Sequence, residues 1–374
     1  MAEILDFTEC RRVTLAEALT TTDNAVRVLQ ATGGEPVPTR PMLWPAEVTA
    51  SQVSGLHDVN AAPAITPDVY AYFVRDAVVG GYGTSVVKDG AHVFGRSAFP
   101  YYVRAFIEQE LGRSHWGVEP REKRFISRPV YVISHFNPIY GHWLLEIMPK
   151  LFGMAAWAAQ GFTAPVVLSN QLPPLVKETV RRLLPTCPVI EYDPAKQVIV
   201  ARRVILPGMM QNEYVYNQHF RRSLDVFLAP LRRLPGPDKL FVSRAGMTEG
   251  FRRMENAGAL DALAERLGLT VIRPETLPWL EQLRLFASAR LVAGEFGSGL
   301  HNTMFSPRGC KVVCLNVLVE VQSKLANAFR HDLGYIIDPV GGAVRYEMGW
   351  TEQQLYRADL DQFEARVRPL IESM

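Results

Sequence analysis

Residues 291–309 read Leu-Val-Ala-Gly-Glu-Phe-Gly-Ser-Gly-Leu-His-Asn-Thr-Met-Phe-Ser-Pro-Arg-Gly, and this stretch sets the fold that the rest of the chain has to fit. The apolar run Leu291 to Ala293 is typical of a buried strand. A tight loop with little side-chain bulk follows, with glycines at positions 294, 297 and 299. Leu300 to Phe305 then predicts a short helix, which Pro307 and Gly309 end. A strand, a glycine-rich turn and a helix start present backbone N–H groups to an anion, so we expect a phosphate-bearing ligand here.

The loop does not match the two commonest nucleotide-binding patterns. No Lys-Ser or Lys-Thr pair follows the glycines, as the Walker sequence requires, and no acidic residue ends a strand about twenty residues later, as a dinucleotide site requires. The loop therefore predicts an anion site without naming the ligand.

Strands and helices alternate on both sides of the breaker cluster Leu234-Pro-Gly-Pro-Asp238, which is the best candidate for a linker. In the second half, strands are predicted at 239–242, 269–272, 291–293, 311–315 and 335–337, with helices at 255–267, 276–289 (Thr276 as N-cap) and 320–331. In the first half, strands are predicted at 130–134, 166–169 and 198–206, with helices at 141–160 and 173–184. This alternation predicts two α/β halves with parallel sheets, and a ligand in the cleft between them. We expect domains at 1–234 and 235–350, and an amphipathic helix at 351–374 that packs back on the first domain.

Composition limits the class of protein. The 374 residues are 48% hydrophobic and 21% charged, with a formal net charge of +2. Such a near-neutral chain with scattered arginines disfavours nucleic-acid binding. No secretory leader or run of about 18 apolar residues is present, and the four cysteines are irregularly spaced. We therefore expect a cytoplasmic protein with at most peripheral membrane contact, whose oligomeric state stays open.

One segment of the first half carries candidate acid–base chemistry. His142 and Glu146 are four residues apart, so one helix face carries both, and Asn137 lies just upstream. A carboxylate beside an imidazole can remove a proton from a hydroxyl: Glu146 is the first candidate for the base, and His142 is its partner or rival. Asn137 and Trp143 are further candidates in this segment. The alternative is a helix-capping pair on a helix that packs Trp143 inward.

The second half carries candidate anion ligands. Ser243 and Arg244 follow a predicted strand, where an arginine can hold a diphosphate by two parallel hydrogen bonds. Arg252 and Arg253 follow one loop later and can do the same, although any of these arginines can equally be a surface charge. The remaining candidates of the second half are Gln282, Glu295, Gly297, Ser298, Gly299, His301 and Asn302.

Some of these residues have a second interpretation. Glu295 would repel a phosphate, so a ribose or sugar hydroxyl, or an arginine, is its more plausible partner. Gln282 can simply face solvent, and His301 and Asn302 can simply cap a helix end. Asp359-Leu-Asp361 looks like the Asp-x-Asp of metal-dependent sugar transferases, but it lies in the C-terminal amphipathic segment, so we predict no metal and no cofactor.

Taken together, these segments resemble glycosyltransferase family 61, over about residues 130–316. The resemblance is carried by Asn137, Gly141–Glu146, Ser243-Arg244, Arg252-Arg253, Asn256, Glu281-Gln282, Gly294–Asn302, Phe305 and Pro307–Gly309. The chain departs from the family at three positions: Phe296 replaces a histidine of the glycine loop, Ala257 a glutamate, and Cys314 a frequent acid. These departures concern the presumed donor half.

The resemblance implies a GT-B fold, in which two Rossmann-like domains face each other across a cleft. It places Asn137 and Trp143 on the acceptor side and the candidates of the second half on the donor side. It also implies inverting, metal-independent transfer from a nucleotide-sugar, with uridine diphosphate (UDP) the expected carrier, to a hydroxyl of a glycan, a lipid-linked glycan or a protein. Polysaccharide or lipopolysaccharide synthesis is the expected setting. Two alternatives stay open: a nucleotide-sugar epimerase or hydrolase of the same fold, and a catalytically degenerate nucleotide-binding relative.

Overall fold

The structure is a computed structural model of the chain. It describes residues 4–6, 12–14, 17–18, 24–29, 43, 68–81, 85–94, 122–133, 140–212, 214–247, 252–316, 320–337 and 354–374. The chain divides into two compact units, one formed by Met1–Gly34 with Thr66–Ser223 and the other by Glu35–Ile65 with Leu224–Met374. Both units mix helices with sheets, so the protein is of the α/β class.

The first unit is built on a large mixed sheet. Its described strands are β1 (Ile4–Asp6), β2 (Arg12–Val13), β3 (Asn24–Leu29), β4 (Val69–Gly80), β5 (Ser85–Lys88), β6 (Ala91–Phe94), β7 (Glu122–Ile126), β8 (Val130–Val132), β9 (Val166–Ser169), β10 (Val189–Tyr192) and β11 (Gln197–Pro207). They follow the order β1-β6-β5-β4-β11-β8-β9-β10, with β3 beside β4, β2 beside β3 and β7 beside β11.

Only part of this sheet is parallel. β11, β8, β9 and β10 run parallel, and helices Met148–Ala158 and Pro174–Leu183 cover the crossovers between β8, β9 and β10. β4 runs antiparallel to β11 and also to β5, so the expectation of a parallel sheet holds for the later strands only. A two-residue turn joins β5 to β6 antiparallel: Asp89 and Gly90 both have positive φ, 49° and 83°, as such tight hairpins require.

The second unit contains a five-stranded parallel sheet. Its strands are β14 (Lys239–Val242), β16 (Thr270–Ile272), β17 (Leu291–Glu295), β18 (Lys311–Leu315) and β19 (Asp332–Ile336), in the order β16-β14-β17-β18-β19. The intervening helices are Ala257–Arg266, Trp279–Ser288 and Glu320–Phe329. After β14 the chain forms β16 on one side of β14 and then β17 on the other side. The strand order therefore reverses between β14 and β17. In doubly wound sheets ligands bind at the carboxyl ends of the strands at such a reversal.

Two details of the second unit differ from the expectations. Thr276 does not cap a helix. It ends the 3₁₀ turn Pro274–Thr276 and its hydroxyl donates to the Arg273 carbonyl, while the helix begins at Trp279 with Pro278 in the N-cap position. The tail is not one helix either, since strand β20 (Gln354–Tyr356) precedes helix Leu360–Glu372.

The C-terminal helix belongs to the second unit. Phe363 and Val367 are fully buried in the core that also contains Phe241 of β14, and the rings of Phe241 and Phe363 meet edge to face at 5.8 Å. The apolar face of this helix therefore lies in the core of the second unit. The expectation that the helix packs back on the N-terminal domain stays a prediction. No helix in the described ranges is long and apolar enough to span a bilayer.

Candidate functional site

In the first unit, the predicted acid–base pair lies on a widened helical turn. The short helix Tyr140–His142 continues into a π-helical segment, Trp143–Ile147, and then into helix Met148–Ala158. The N–H of Met148 donates to the carbonyl of Trp143, five residues back, as π-helical geometry requires. Single π turns inside α-helices are frequently found at functional sites.

The structure brings His142 and Glu146 into contact. Nδ1 of His142 lies 3.1 Å from Oε1 of Glu146, while 31% of the histidine side chain and 5% of the glutamate side chain are exposed. The carboxylate is therefore almost enclosed, and the imidazole is the member of the pair that solvent reaches. A carboxylate that fixes one ring nitrogen leaves the other nitrogen available for a proton.

A tyrosine from another element holds the widened turn. The hydroxyl of Tyr216, on the short strand Val215–Tyr216, donates to the carbonyl of Leu145 over 3.0 Å. Burial raises the pKa of Tyr216 well above its ordinary value, and the nearby Tyr214 and Glu146 raise it further. Tyr216 therefore stays a neutral donor next to the carboxylate.

The two acceptor-side candidates have different outcomes. Trp143 is 1% exposed, so it packs in the interior and offers no ring face to a ligand; the packing alternative is the one that the structure shows. Asn137 lies outside the described residues.

In the second unit, Arg244 and the glycine loop meet where the strand order reverses. β14 ends at Val242 and leads into Ser243 and Arg244, and the neighbouring β17 leads into the loop. A Cβ built on Gly297 would lie 2.2 Å from Nη1 of Arg244, so the guanidinium lies across the backbone of this glycine. This position has room for the arginine only because residue 297 has no side chain.

The other two glycines bring the loop against β14. A Cβ on Gly294 would come within 2.8 Å of the Val242 carbonyl oxygen, and one on Gly299 within 3.3 Å of a Val242 methyl group. Gly297 is buried, whereas Ser298 and Gly299 are half-buried, and the 3₁₀ helix Leu300–Phe305 follows. The predicted strand, loop and short helix are therefore all present.

Glu295 is enclosed next to the arginine. It is 2% exposed, and the hydroxyl of Tyr356 donates to its Oε2 through a short contact. Burial raises the pKa of Glu295, and the Tyr356 hydroxyl and the charge and backbone N–H of Arg244 oppose that rise. Of the partners expected for Glu295, the structure shows an arginine, Arg244.

Ser243 has a structural partner. It is fully buried, its hydroxyl donates to Oδ2 of Asp261 over 2.9 Å, and it accepts from the N–H of Ala245 over 3.1 Å. Arg273 donates to the same Asp261 oxygen over 2.8 Å. Ser243 therefore fixes the turn that carries Arg244.

Three further donor-side candidates, Gln282, His301 and Asn302, make hydrogen bonds next to the loop. Gln282 donates to the carbonyls of Pro274 and Leu277 and accepts from Nδ2 of Asn302 over 3.1 Å. His301 is 7% exposed, and its Nδ1 lies 3.3 Å from Oε1 of Gln322. These contacts shape the loop, so the solvent-facing alternative for Gln282 is wrong.

Arg252 and Arg253 belong to strand β15 (Arg252–Met254), which pairs in parallel with β20. Their positions next to Gln354 and Leu355 are given by the backbone, and their side chains lie outside what the structure describes. Asp359 caps the C-terminal helix by accepting from the N–H of Gln362 over 2.9 Å. Within the described ranges no group of three His, Cys, Asp or Glu side chains is placed to hold a metal ion.

The three departures from the family pattern lie inside the second unit. Phe296 is 6% exposed and meets the ring of His301 edge to face at 5.8 Å. Cys314 is fully buried in β18, and Ala257 begins a helix. All three positions therefore serve packing or helix initiation.

Several residues that shape the site were missed from sequence. Tyr356 and Asp261 reach Glu295 and Ser243 across long sequence separations that no local pattern signals. The proximity of Lys150 to Glu146 could have been predicted from sequence, because Lys150 lies four residues after Glu146 on the same helix face.

Comparison with known proteins agrees with this geometry. No curated protein sequence matches the chain. Residues 140–313 match the model of the family described as Glycosyltransferase 61, and this range contains both the His142–Glu146 pair and the Arg244–Gly297 contact. Residues 140–313, a little under half of the chain, therefore belong to glycosyltransferase family 61, and the match supports a glycosyltransferase enzyme.

Proposed function

We propose that the protein transfers a sugar from a nucleotide-sugar to a hydroxyl of a glycan, a lipid-linked glycan or a protein, with inversion and without a metal ion. We further propose that its two units adopt the GT-B arrangement and that the carrier is UDP. The observation that carries the proposal is the guanidinium of Arg244 over Gly297, at the reversal of strand order. A cation beside the amides of half-buried loop residues is suited to a diphosphate.

The chemistry follows from the charges. A lone pair of the acceptor hydroxyl oxygen forms a bond to the anomeric carbon as the bond from that carbon to the phosphate oxygen breaks. The electron pair of that bond leaves with the diphosphate, and Arg244 and the N–H groups of Ser298 and Gly299 stabilise the added negative charge. A single displacement of this kind inverts the anomeric centre.

The proton goes to the pair on the widened turn. Because Glu146 is nearly enclosed and His142 is not, we assign His142 as the group that takes the acceptor's proton and Glu146 as the group that orients it. This exchanges the roles that the sequence alone favoured. Glu295 holds Arg244 and does not contact the phosphates, which a buried carboxylate would repel.

Nucleotide binding tests the donor half. We would titrate the protein with UDP, GDP, CDP and ADP by calorimetry, and repeat the best of them with Arg244→Gln. Hydrogen bonds between charged groups are worth about 1.5–3 kcal/mol, so the variant should bind roughly 10–100-fold more weakly. Arg290→Gln is the matched control, because Arg290 is exposed at the opposite, amino end of β17. Equal affinities for the wild type and Arg244→Gln would remove the arginine from the site.

Transfer itself is tested with a panel of nucleotide-sugars, with and without glycan acceptors. Consumption that depends on the acceptor supports a transferase. Consumption without any acceptor would favour an epimerase or hydrolase, and binding without consumption would favour a degenerate relative.

A further inference from the structure

Lys150 is the most unusual charged residue outside the groups already assigned. It lies on helix Met148–Ala158, four residues after Glu146, and is 1% exposed. Fully buried lysines are rare unless a partner compensates their charge.

We propose that Lys150 is a positioning residue, whose buried ammonium balances the charge of the Glu146 carboxylate and holds it aimed at His142. The inference rests on the proposed function, since it assigns how the His142–Glu146 pair is prepared for proton transfer. Lys150 contacts neither acceptor nor donor in this assignment, and it acts through Glu146.

The charges support a coupled pair. Burial lowers the pKa of Lys150 to about 7, and the negative charge of Glu146 opposes that fall. Each group needs the other, because an ion buried without a counter-charge pays a desolvation cost of several kcal/mol. Along one stripe of the helix the order is therefore His142, Glu146, Lys150, with the carboxylate between two groups that can carry positive charge.

Besides His142, the titratable groups that the described residues place around the pair are tyrosines. Tyr216 lies near the carboxylate and has Tyr214 as a neighbour, and Tyr131 of β8 lines a cavity together with Lys150. Burial raises the pKa of both Tyr131 and Tyr216, so they stay neutral. Of the groups that the structure describes here, Lys150 is therefore the one that supplies a buried positive charge beside Glu146 independently of His142.

The cavity is too small for a substrate. It measures about 10 Å³, and Met154, Trp157 and Pro207 are among its lining residues. A space of this size holds about one water molecule. Because the ammonium is enclosed in this way, its effect reaches the reaction only by way of the carboxylate.

The first test is the Lys150→Met variant, with Met154→Leu as a control for packing in the same cavity. We expect kcat to fall about 10–100-fold while KM for the nucleotide-sugar changes by less than about twofold. Removing a positive charge favours protonation of the pair, so the low-pH limb of the rate profile should move up by about one pH unit. Met154→Leu should leave that limb in place. A Lys150→Met profile that overlays the wild type would overturn the proposal.

The second test needs no catalysis. Melting temperatures of Lys150→Met, Glu146→Gln and the double variant form a cycle. The double variant removes both charges, so it should melt higher than the sum of the two single losses predicts. Additive losses would overturn the pairing, even if Lys150→Met proves too unstable for kinetics.

The two tests separate the inference from the function on which it rests. Additive melting losses in a protein that transfers sugar overturn the role of Lys150 alone. If the melting losses are not additive but the protein transfers no sugar, the ion pair is supported and the proposed function fails. The assignment of Lys150 as a positioning residue then fails as well.

Discussion

Nη1 of Arg244 lies 2.2 Å from the point that a Cβ on Gly297 would occupy. The arginine and the glycine are therefore one structural unit, although 53 positions separate them in the numbering of the sequence. The turn after β14 carries the guanidinium of Arg244, and the loop after β17 leaves the space that this group occupies.

The Gly297→Ala variant should lose nucleotide binding without losing its fold. The added methyl must displace the guanidinium, so we expect affinity for the preferred nucleoside diphosphate to fall at least about tenfold. Calorimetry measures the effect. Gly258→Ala is the control, since a Cβ there meets nothing within 4 Å and the residue lies in a helix. Unchanged affinity in Gly297→Ala would mean that the arginine does not bind the ligand from this position.

The His142→Gln variant should lose catalysis but keep donor binding. Loss of a positioned general base costs about 10²–10⁴-fold, and we expect kcat to fall in that range. Glu146→Gln should fall by less, because it removes the orienting group and leaves the imidazole. His219→Gln, a half-buried histidine of helix Gln218–Leu228, should be near wild type. The role assignment is reversed if Glu146→Gln is the more damaged enzyme.

The Tyr216→Phe variant should be less stable. It removes the donor that satisfies the buried carbonyl of Leu145, which costs about 1–3 kcal/mol. Urea unfolding measures the free energy of unfolding. The Tyr70→Phe control removes a half-buried hydroxyl that donates to Asp68 over 3.2 Å, so it should cost less. Equal losses would show that the widened turn does not depend on Tyr216.

The Glu295→Gln variant should change how stability depends on pH. Burial raises the pKa of Glu295 above its ordinary value of 4.5, so the folded protein binds this proton more tightly than the unfolded chain does. That contribution is fully present below the ordinary pKa and is lost as pH rises through the raised one. The stability of Glu295→Gln relative to the wild type should therefore increase as the pH rises from below 4.5 through the raised pKa.

Glu281→Gln gives the opposite sign. The hydrogen bond from Arg284 lowers the pKa of Glu281, so its contribution is present above the ordinary pKa and is lost as pH falls through the lowered one. The stability of this variant relative to the wild type should increase toward low pH. Chemical denaturation across pH measures both variants, and parallel trends would contradict the assignment for Glu295.

The local parts of the second unit were predictable from sequence. Lys239–Val242 and Lys311–Leu315 are strands with the predicted bounds, and Leu300–Phe305 is the predicted short helix. Short apolar runs between glycines and prolines leave the chain little alternative there. The contact between His142 and Glu146 was predictable as well, because it depends on helical spacing alone.

Long-range pairings were not predictable. The antiparallel pairing of β4 with β11 joins residues more than a hundred positions apart. The sequence of neither strand indicates whether its partner runs parallel or antiparallel. The contact of Tyr356 with Glu295 depends likewise on the parallel pairing of β15 with β20. The π-helical turn also escaped prediction, because one extra residue in a helical turn leaves the apolar pattern almost unchanged.

The late position of Tyr356 and Phe363 affects how the protein is made. Synthesis runs from the amino end, so all five strands of the second sheet leave the ribosome before the residues that cover Phe241 and bind Glu295. Until then the nascent chain carries an apolar sheet face and a carboxylate without its tyrosine, and such surfaces are what chaperones recognise. The glycine loop therefore matures only after residues 354–367 have been synthesised, and errors in these residues should reduce the yield of folded protein before they affect its activity.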